Sequence, residues 1–159
     1  MLWSRIKPYL VGTLVPLAVG GLSALLSGAG EGFYETVDLP AFAPPALLFP
    51  IVWAILFLLM GYSSVTVFLH RERDRSHALD GLVLYTASLA VNFFYPIFFF
   101  RFRFFLFSFF WLILLLSLVL LTVWKYAKVS RPASRAQLPY AAWVAFACVL
   151  TLSIYLLNR

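Results

Sequence analysis

The chain has 159 residues, of which 64% are hydrophobic and 11% are charged, and its formal net charge at pH 7 is +6. Soluble domains carry about twice that share of charged residues, so the composition excludes an ordinary water-soluble domain and indicates a membrane protein. The 12 basic residues fall in short clusters between long apolar runs. They cannot form the continuous basic surface that nucleic-acid binding requires, so no nucleic-acid partner is expected.

Five apolar runs follow one another, each with about the 20 residues that an α-helix needs to cross a bilayer. The first contains Gly20 and Ala24, a spacing that lets a neighbouring helix approach closely. Before the second, the missing amide donors of Pro44 and Pro45 suit the start of a helix. The predicted spans are residues 6–27, 46–69, 82–100, 104–124 and 138–157. The sequence therefore predicts an all-α membrane protein, a single five-helix domain covering residues 1–159.

The connections between the runs differ in charge. The first is the longest and carries Glu31, Glu35 and Asp38, which are interpreted as solvated loop charges. With five crossings, nine basic residues fall on the side of the amino terminus and three fall on the other side. Basic residues are enriched on the cytoplasmic side of membrane proteins, so this pattern predicts a cytoplasmic amino terminus and an external carboxyl terminus. An even number of helices would destroy the segregation of charge.

The interiors of the apolar runs contain no Asp, Glu, Lys, Arg or His. Proton-coupled transporters usually keep ionisable groups inside the membrane, and metal hydrolases need clusters of His and carboxylates. Both histidines, His70 and His77, lie in a charged turn, and Cys148 is the only cysteine. We therefore predict no catalytic residues, no metal site and no obligate cofactor.

The most informative polar residue is Asn92, near the middle of the third run. Tyr85, Ser88 and Asn92 are three and four residues apart, so they share one face of a helix. That face is the predicted inward-facing polar stripe. Inside a membrane the Asn92 amide needs a partner, and two interpretations stay open: a hydrogen bond to another helix, or contact with a ligand.

Several motifs carry a resemblance to a known family. In chain order they are Thr13–Pro16 with Gly20 and Gly21, Tyr34, Pro40–Pro45, Pro50–Trp53 with Met60–Tyr62, Tyr85–Asn92 with Pro96, and Pro139–Ala147. In this order and spacing they make the sequence similar to the TspO/MBR family over about residues 12–158. Its members are the translocator proteins, also called tryptophan-rich sensory proteins or peripheral benzodiazepine receptors.

The resemblance implies a five-helix bundle of TspO/MBR type, often a homodimer, in a bacterial membrane or the mitochondrial outer membrane. It also implies binding of porphyrins such as protoporphyrin IX, and of sterols such as cholesterol in some members. The implied pocket is lined by all five helices and capped by the first loop. Its candidate residues are Trp53, Asn92, Tyr95, Phe107, Trp143, Phe146, Ala147 and Leu150, with Tyr34, Phe42, Pro44 and Pro45 in the cap.

The sequence also departs from the family pattern. Phe42 stands where a loop tryptophan is usual, Phe93 and Tyr95 replace two further tryptophans, Ser88 replaces a common Gln, and Thr151 replaces Asn. The implied pocket keeps its aromatic character but loses indole and polar groups. We therefore expect a membrane receptor or binding protein for flat lipophilic ligands, with a sensory or regulatory role in tetrapyrrole handling. The alternatives are a passive porphyrin or sterol transporter, and a weak light-dependent porphyrin-degrading enzyme, which the missing tryptophans disfavour.

Overall fold

The computed structural model describes residues 2–29 and 32–159, so Glu31 of the first loop lies outside the described residues. The helices are α1 (Leu2–Ser27), α2 (Leu48–Leu69), α3 (Arg75–Pro96), α4 (Phe105–Val129) and α5 (Arg131–Leu157). Short 3₁₀ turns cover Phe33–Glu35 and Arg71–Arg73, and a π-helical turn covers Ile97–Arg101. No strand occurs in these two ranges. Five helices are long and apolar enough to cross a membrane, so the chain is an integral multi-pass membrane protein, as predicted.

The five helices form a closed ring in the order α1, α2, α5, α4, α3, with α3 returning to α1. Large apolar side chains such as Leu14, Leu25 and Val83 project outward and are more than 60% exposed, as expected for a surface that faces lipid tails. The interior holds fully buried side chains of α4 and α5, among them Leu115 and Tyr140. Because both faces of each helix are apolar, apolarity does not distinguish the interior from the lipid-facing surface. The packing of the helices alone decides which side chains are inside.

Small residues bring α1 and α2 together. A Cβ atom added to Gly61 would lie 2.5 Å from the Cα of Thr13, and one added to Gly12 would lie 2.0 Å from the Cγ2 of Val65. Small residues let helix backbones approach closely in membranes, where van der Waals packing drives association. These two glycines therefore allow the close packing of α1 against α2.

The predicted spans were too short at several helix ends. α3 begins at Arg75, not residue 82, because the Asp74 carboxylate caps it by accepting a hydrogen bond from the His77 amide at 3.2 Å. The predicted basic turn between the fourth and fifth spans is also helical on both sides of Ser130, whose extended backbone separates α4 from α5. Hydropathy marks the part of a helix inside the bilayer, whereas these polar ends continue the hydrogen-bonded ladder beyond it.

Two prolines shape the connections near the first loop. Pro96 lacks an amide donor, and after it the chain continues as the π-helical turn, in which the Phe102 amide donates to the Ile97 carbonyl at 3.1 Å. α2 begins at Leu48, two residues after the predicted start, because the Leu48 amide first bonds the Pro45 carbonyl at 2.9 Å in a turn. This π-helical turn and the first loop meet at one end of the bundle.

Candidate ligand-binding cavity

A cavity of about 450 Å³ lies inside the end of the bundle that carries the first loop. Its walls come from α1, α2, α3 with its π-helical turn, and α5, and residues of the first loop line it as well. Ligand pockets typically have volumes of about 300–1,000 Å³ and mostly apolar walls, so both its size and its lining suit a small lipophilic molecule.

The two tryptophans predicted for the pocket both line the cavity. Trp53 stacks on Phe57 with ring centroids 5.4 Å apart. Trp143 meets the edge of Phe49 at 5.8 Å and the tilted ring of Phe146 at 5.4 Å. Because each indole is fixed by neighbouring rings, the walls offer flat aromatic surfaces in set orientations. Such surfaces suit stacking against a planar ligand.

Asn92 also lines the cavity, and its side chain is 95% buried. Its amide makes no hydrogen bond to any residue that the structure describes. The first of the two open interpretations, a bond between helices, is therefore not realised here. A buried amide without a protein partner gains from a ligand that supplies one, so the geometry favours the second interpretation.

The rest of the predicted polar stripe is buried but lies away from the cavity. Ser88 is 1% exposed and donates within α3 to the Tyr85 carbonyl at 2.7 Å, and Tyr85 is 8% exposed. Tyr85 and Ser88 are thus buried, although Tyr85 also borders a groove between α1, α2 and α3 on the outer side of the bundle. Of the three residues of the stripe, only Asn92 borders the cavity.

The other predicted pocket residues divide into two groups. Tyr95 of α3 and Ala147 and Leu150 of α5 line the cavity. Phe146 does not line it, but its ring supports Trp143 and meets the edge of Phe42 at 6.4 Å. We therefore assign Phe146 a positioning role.

The structure corrects two predictions, namely that Phe107 lines the pocket and that all five helices form its walls. Phe107 is 47% exposed on the outer face of α4, where it stacks on Trp111 at 5.7 Å and meets the edge of Phe98. The next residue, Ser108, is fully buried, and one step along a helix rotates the side chain by about 100°. Within the described residues, α4 contributes nothing to the cavity lining.

The first loop covers the cavity, but only one of the four residues predicted for the cap, Tyr34, lines it. Partial burial raises the pKa of the Tyr34 phenol. Pro44 and Pro45 do not line the cavity, whereas their neighbours Ala43 and Ala46 do. Phe42 is half exposed and does not line the cavity, and its ring meets the edge of Phe146, which supports Trp143.

Hydrogen bonds fasten this loop to the other elements at the same end. The Asn158 side chain accepts from the Asp38 amide and donates to the Asp38 carbonyl, both at 2.9 Å. Arg103 donates to the Thr36 hydroxyl at 2.8 Å. The cap is thus tied to the end of α5 and to the link before α4.

Sequence reasoning missed most of the residues that line the cavity, among them Gly21, Phe99 and Phe100. Gly21 borders it directly, and a Cβ atom added there would meet nothing within 4 Å. Phe99 and Phe100 of the π-helical turn also line it and pack on Phe33 of the loop. The adjacent glycines of α1 were the available signal, but spacing alone cannot distinguish a helix contact from an open space.

The similarity to known proteins extends over most of the chain. The family model described as the TspO/MBR family matches residues 12–157. The chain belongs to the TspO/MBR family. It is 36% identical over 126 residues to the tryptophan-rich protein TspO of Chlorobaculum tepidum, covering 79% of each chain. It is 32% identical over 149 residues to the translocator protein of Ovis aries, covering 92% of this chain and 88% of that protein.

Two departures from the TspO/MBR pattern contact each other across the cavity wall. The hydroxyl of Tyr95 and the Oγ1 of Thr151 lie 3.0 Å apart and share a hydrogen bond between α3 and α5. Both residues were identified from the sequence as departures from the pattern that the resemblance implies. The two substitutions therefore form one local unit, in which each side chain satisfies the other.

A third departure lies outside the cavity. Phe93 does not line it, and its carbonyl accepts a hydrogen bond from the buried Ser23 hydroxyl at 2.6 Å, which joins α1 to α3. Its ring packs against the edge of Phe94. Phe93 therefore takes part in the contact between α1 and α3 and not in the cavity lining.

Proposed function

We propose that the cavity binds a flat lipophilic ligand of the porphyrin class, and that the protein has a sensory or regulatory role in tetrapyrrole handling. The observation that carries the proposal is the position of Asn92, which lines an aromatic cavity of about 450 Å³ and has no hydrogen-bond partner for its amide among the described residues. A planar macrocycle offers faces that stack between Trp53 and Trp143, and ring nitrogens or polar substituents that meet the amide. Sterols are the second ligand class, and they would use the same apolar walls without stacking.

The proposal includes an orientation in the membrane. The basic connections after α2 and α4 lie at the amino-terminal end of the bundle, whereas Arg101, Arg103 and Arg159 lie at the end of the first loop. By the charge rule the cavity and its cap then face the outside of a bacterial membrane, or the corresponding side of the mitochondrial outer membrane. Cysteine labelling of Thr36→Cys from either side of sealed vesicles tests this orientation. A homodimer is also proposed, and the mass of the detergent-solubilised particle tests it.

The first experiment is a titration of the purified protein with protoporphyrin IX in the dark, followed by quenching of tryptophan fluorescence. We expect saturable quenching. Asn92→Ala should weaken binding about tenfold, since a lost hydrogen bond to a buried polar group costs about 1–2 kcal/mol. Gly21→Phe should abolish it, because the new ring occupies open cavity space without meeting the backbone of a neighbouring helix.

The matched control is Phe107→Ala, which removes an aromatic ring of the same bundle outside the cavity. It should bind protoporphyrin IX as the wild type does. Linear quenching in all variants contradicts a porphyrin site, and the same variants should then be titrated with a fluorescent sterol. Equal weakening by Phe107→Ala would contradict the placement of the site.

An enzymatic alternative has one supporting observation, namely that Trp53 and Trp143 both line the cavity. Two indoles beside a bound porphyrin suit light-dependent oxidative breakdown with dioxygen as the oxidant. A bilin-like product that forms in light and disappears in Trp143→Phe would favour it. Saturable binding without any product in light would support the receptor function and contradict the enzymatic alternative. Passive transport, the third possibility, is tested by porphyrin flux into reconstituted vesicles.

A further inference from the structure

A second concave surface lies on the lipid-facing side of the bundle, at the end opposite to the first loop. It is a groove of about 500 Å³ between α1, α2 and α3. Val11 and Val15 of α1, Phe68 of α2, and Leu82 and Tyr85 of α3 are among the residues that line it. It shares no lining residue with the cavity described above.

The groove has a structural cause. α1 is held tightly to α2 by Gly12 and Gly61, and the hydrogen bond that joins α1 to α3, from Ser23 to the Phe93 carbonyl, lies at the other end of the bundle. At the amino-terminal end of α1, the space between α1 and α3 is therefore open to lipid. Val11 and Val15 remain about half exposed along it.

Positive charge is concentrated where the groove reaches the membrane surface. Lys7 lines the groove at the start of α1 and is exposed. Arg71 does not line the groove itself, but its guanidinium lies 4.4 Å from the centre of the ring of Phe68, which does, and donates to the Phe68 carbonyl at 2.7 Å. The Glu72 carboxylate lies 3.6 Å from Arg71, and its side chain is 74% exposed. Lys7, Arg71 and Glu72 together carry a net charge of +1.

We propose that this groove is a binding site for one anionic phospholipid of the surrounding bilayer. The phosphate lies between Lys7 and Arg71, and one acyl chain lies along the groove. From Lys7 to Val15 the helix rises about 12 Å, at 1.5 Å for each residue, which is enough to hold much of one chain in the leaflet. Basic side chains near the end of a membrane helix attract anionic head groups, and their aliphatic stems pack on apolar surface.

The test is native mass spectrometry of the purified protein, after exchange into detergent that contains either phosphatidylglycerol or phosphatidylcholine with the same acyl chains. We expect one phosphatidylglycerol to be retained preferentially. Lys7→Gln should reduce its retention about fivefold, the fold-change that corresponds to about 1 kcal/mol for one basic residue near an anionic surface. Lys7→Arg keeps the positive charge and should retain phosphatidylglycerol as the wild type does.

Two matched controls separate the groove from general effects. Lys128→Gln removes an exposed positive charge from the same end of the bundle, on α4 and away from the groove, and should leave retention unchanged. Val11→Trp fills the groove and should abolish retention, whereas Leu14→Trp changes an exposed residue of α1 that does not line it. Protoporphyrin quenching should be unchanged in Lys7→Gln, so this proposal stands or fails independently of the cavity ligand.

Three results would overturn the proposal. An equal loss of phosphatidylglycerol retention in Lys7→Gln and Lys128→Gln would show nonspecific attraction between the basic end of the bundle and anionic lipid. Equal retention of phosphatidylcholine would show that the groove holds an acyl chain without recognising the head group. A dimer that becomes a monomer in Val11→Trp, with no lipid retained by the wild type, would assign the groove to a second copy of this chain.

Discussion

The two adjacent glycines of α1 allow a matched test of the packing around the cavity. A Cβ atom added to Gly20 would lie 2.1 Å from the Cε2 of Phe57, whereas one added to Gly21 would meet nothing within 4 Å. Phe57 is 93% buried and stacks on Trp53, so its ring has little room to move. We therefore expect Gly20→Ala to be destabilising relative to Gly21→Ala.

The magnitude follows from two effects. Replacing glycine by alanine in a helix gains up to about 1 kcal/mol, and this gain is common to both variants. The clash at position 20 costs about 1–3 kcal/mol, which is the usual cost of forcing an extra carbon into a packed interior. The two variants should therefore differ by about 1–3 kcal/mol, or by about 2–12 °C in midpoint temperature for a chain of this size.

The assay is thermal unfolding of both variants and the wild type in one detergent, followed by the fraction that stays monodisperse. Gly21→Ala should unfold at or slightly above the wild-type temperature. The displaced Phe57 ring also presses on Trp53, so Gly20→Ala should bind the cavity ligand more weakly. Equal midpoint temperatures together with equal affinities would refute the packing described for this wall.

Three other predictions concern the cap, the cavity wall and the end of α3. Asn158→Ala removes the bonds that tie the first loop to α5, so the cavity ligand should dissociate up to about tenfold faster in stopped-flow measurements, and an unchanged rate would contradict a capping role. Tyr95→Phe and Thr151→Val should show a coupling of about 0.5–1.5 kcal/mol in a double-mutant cycle of stability, whereas additive effects would contradict their hydrogen bond. Hydrogen bonds from the backbone and side chain of His77 lower the pKa of the Asp74 carboxyl, so its stabilisation should be complete above the ordinary value of about 3.9 and should disappear as the pH falls through the lowered pKa. In melting curves, Asp74→Ala should lose the part of the acid dependence that comes from this carboxylate. An acid dependence equal to that of the wild type would contradict stabilisation by Asp74.

Much of the fold could be predicted because the relevant physics is local. A bilayer-spanning helix must satisfy its own backbone hydrogen bonds, so about 20 apolar residues in a row are enough to indicate one. The polar ends of the helices were missed for the same reason. Apolarity identifies the segment in lipid, whereas the capping at Asp74 and the corner at Ser130 depend on backbone geometry near the membrane surface.

The candidate site was predictable only in part. Trp53, Asn92 and Trp143 were identified from motifs and do line the cavity. Phe107 belongs to an equally aromatic segment but faces away from the cavity, because nothing in an apolar helix distinguishes the side that meets lipid from the side that meets protein. In a soluble protein a polar face would have revealed the difference.

The sequence by itself determined the class of the protein, the number of membrane helices, the segregation of charge between the two ends and the family. These properties depend on composition and on the order of residues along the chain. Composition is informative here because a segment that crosses lipid must be apolar over its whole length. Only the tertiary structure decided that Gly21 opens onto a cavity while Gly20 meets Phe57, that the Asn92 amide has no hydrogen-bond partner among the described residues, and that Tyr95 meets Thr151. These outcomes depend on how far apart the helices pack and how each one is rotated, and in an environment where every face is apolar those quantities come from side-chain shape across helices.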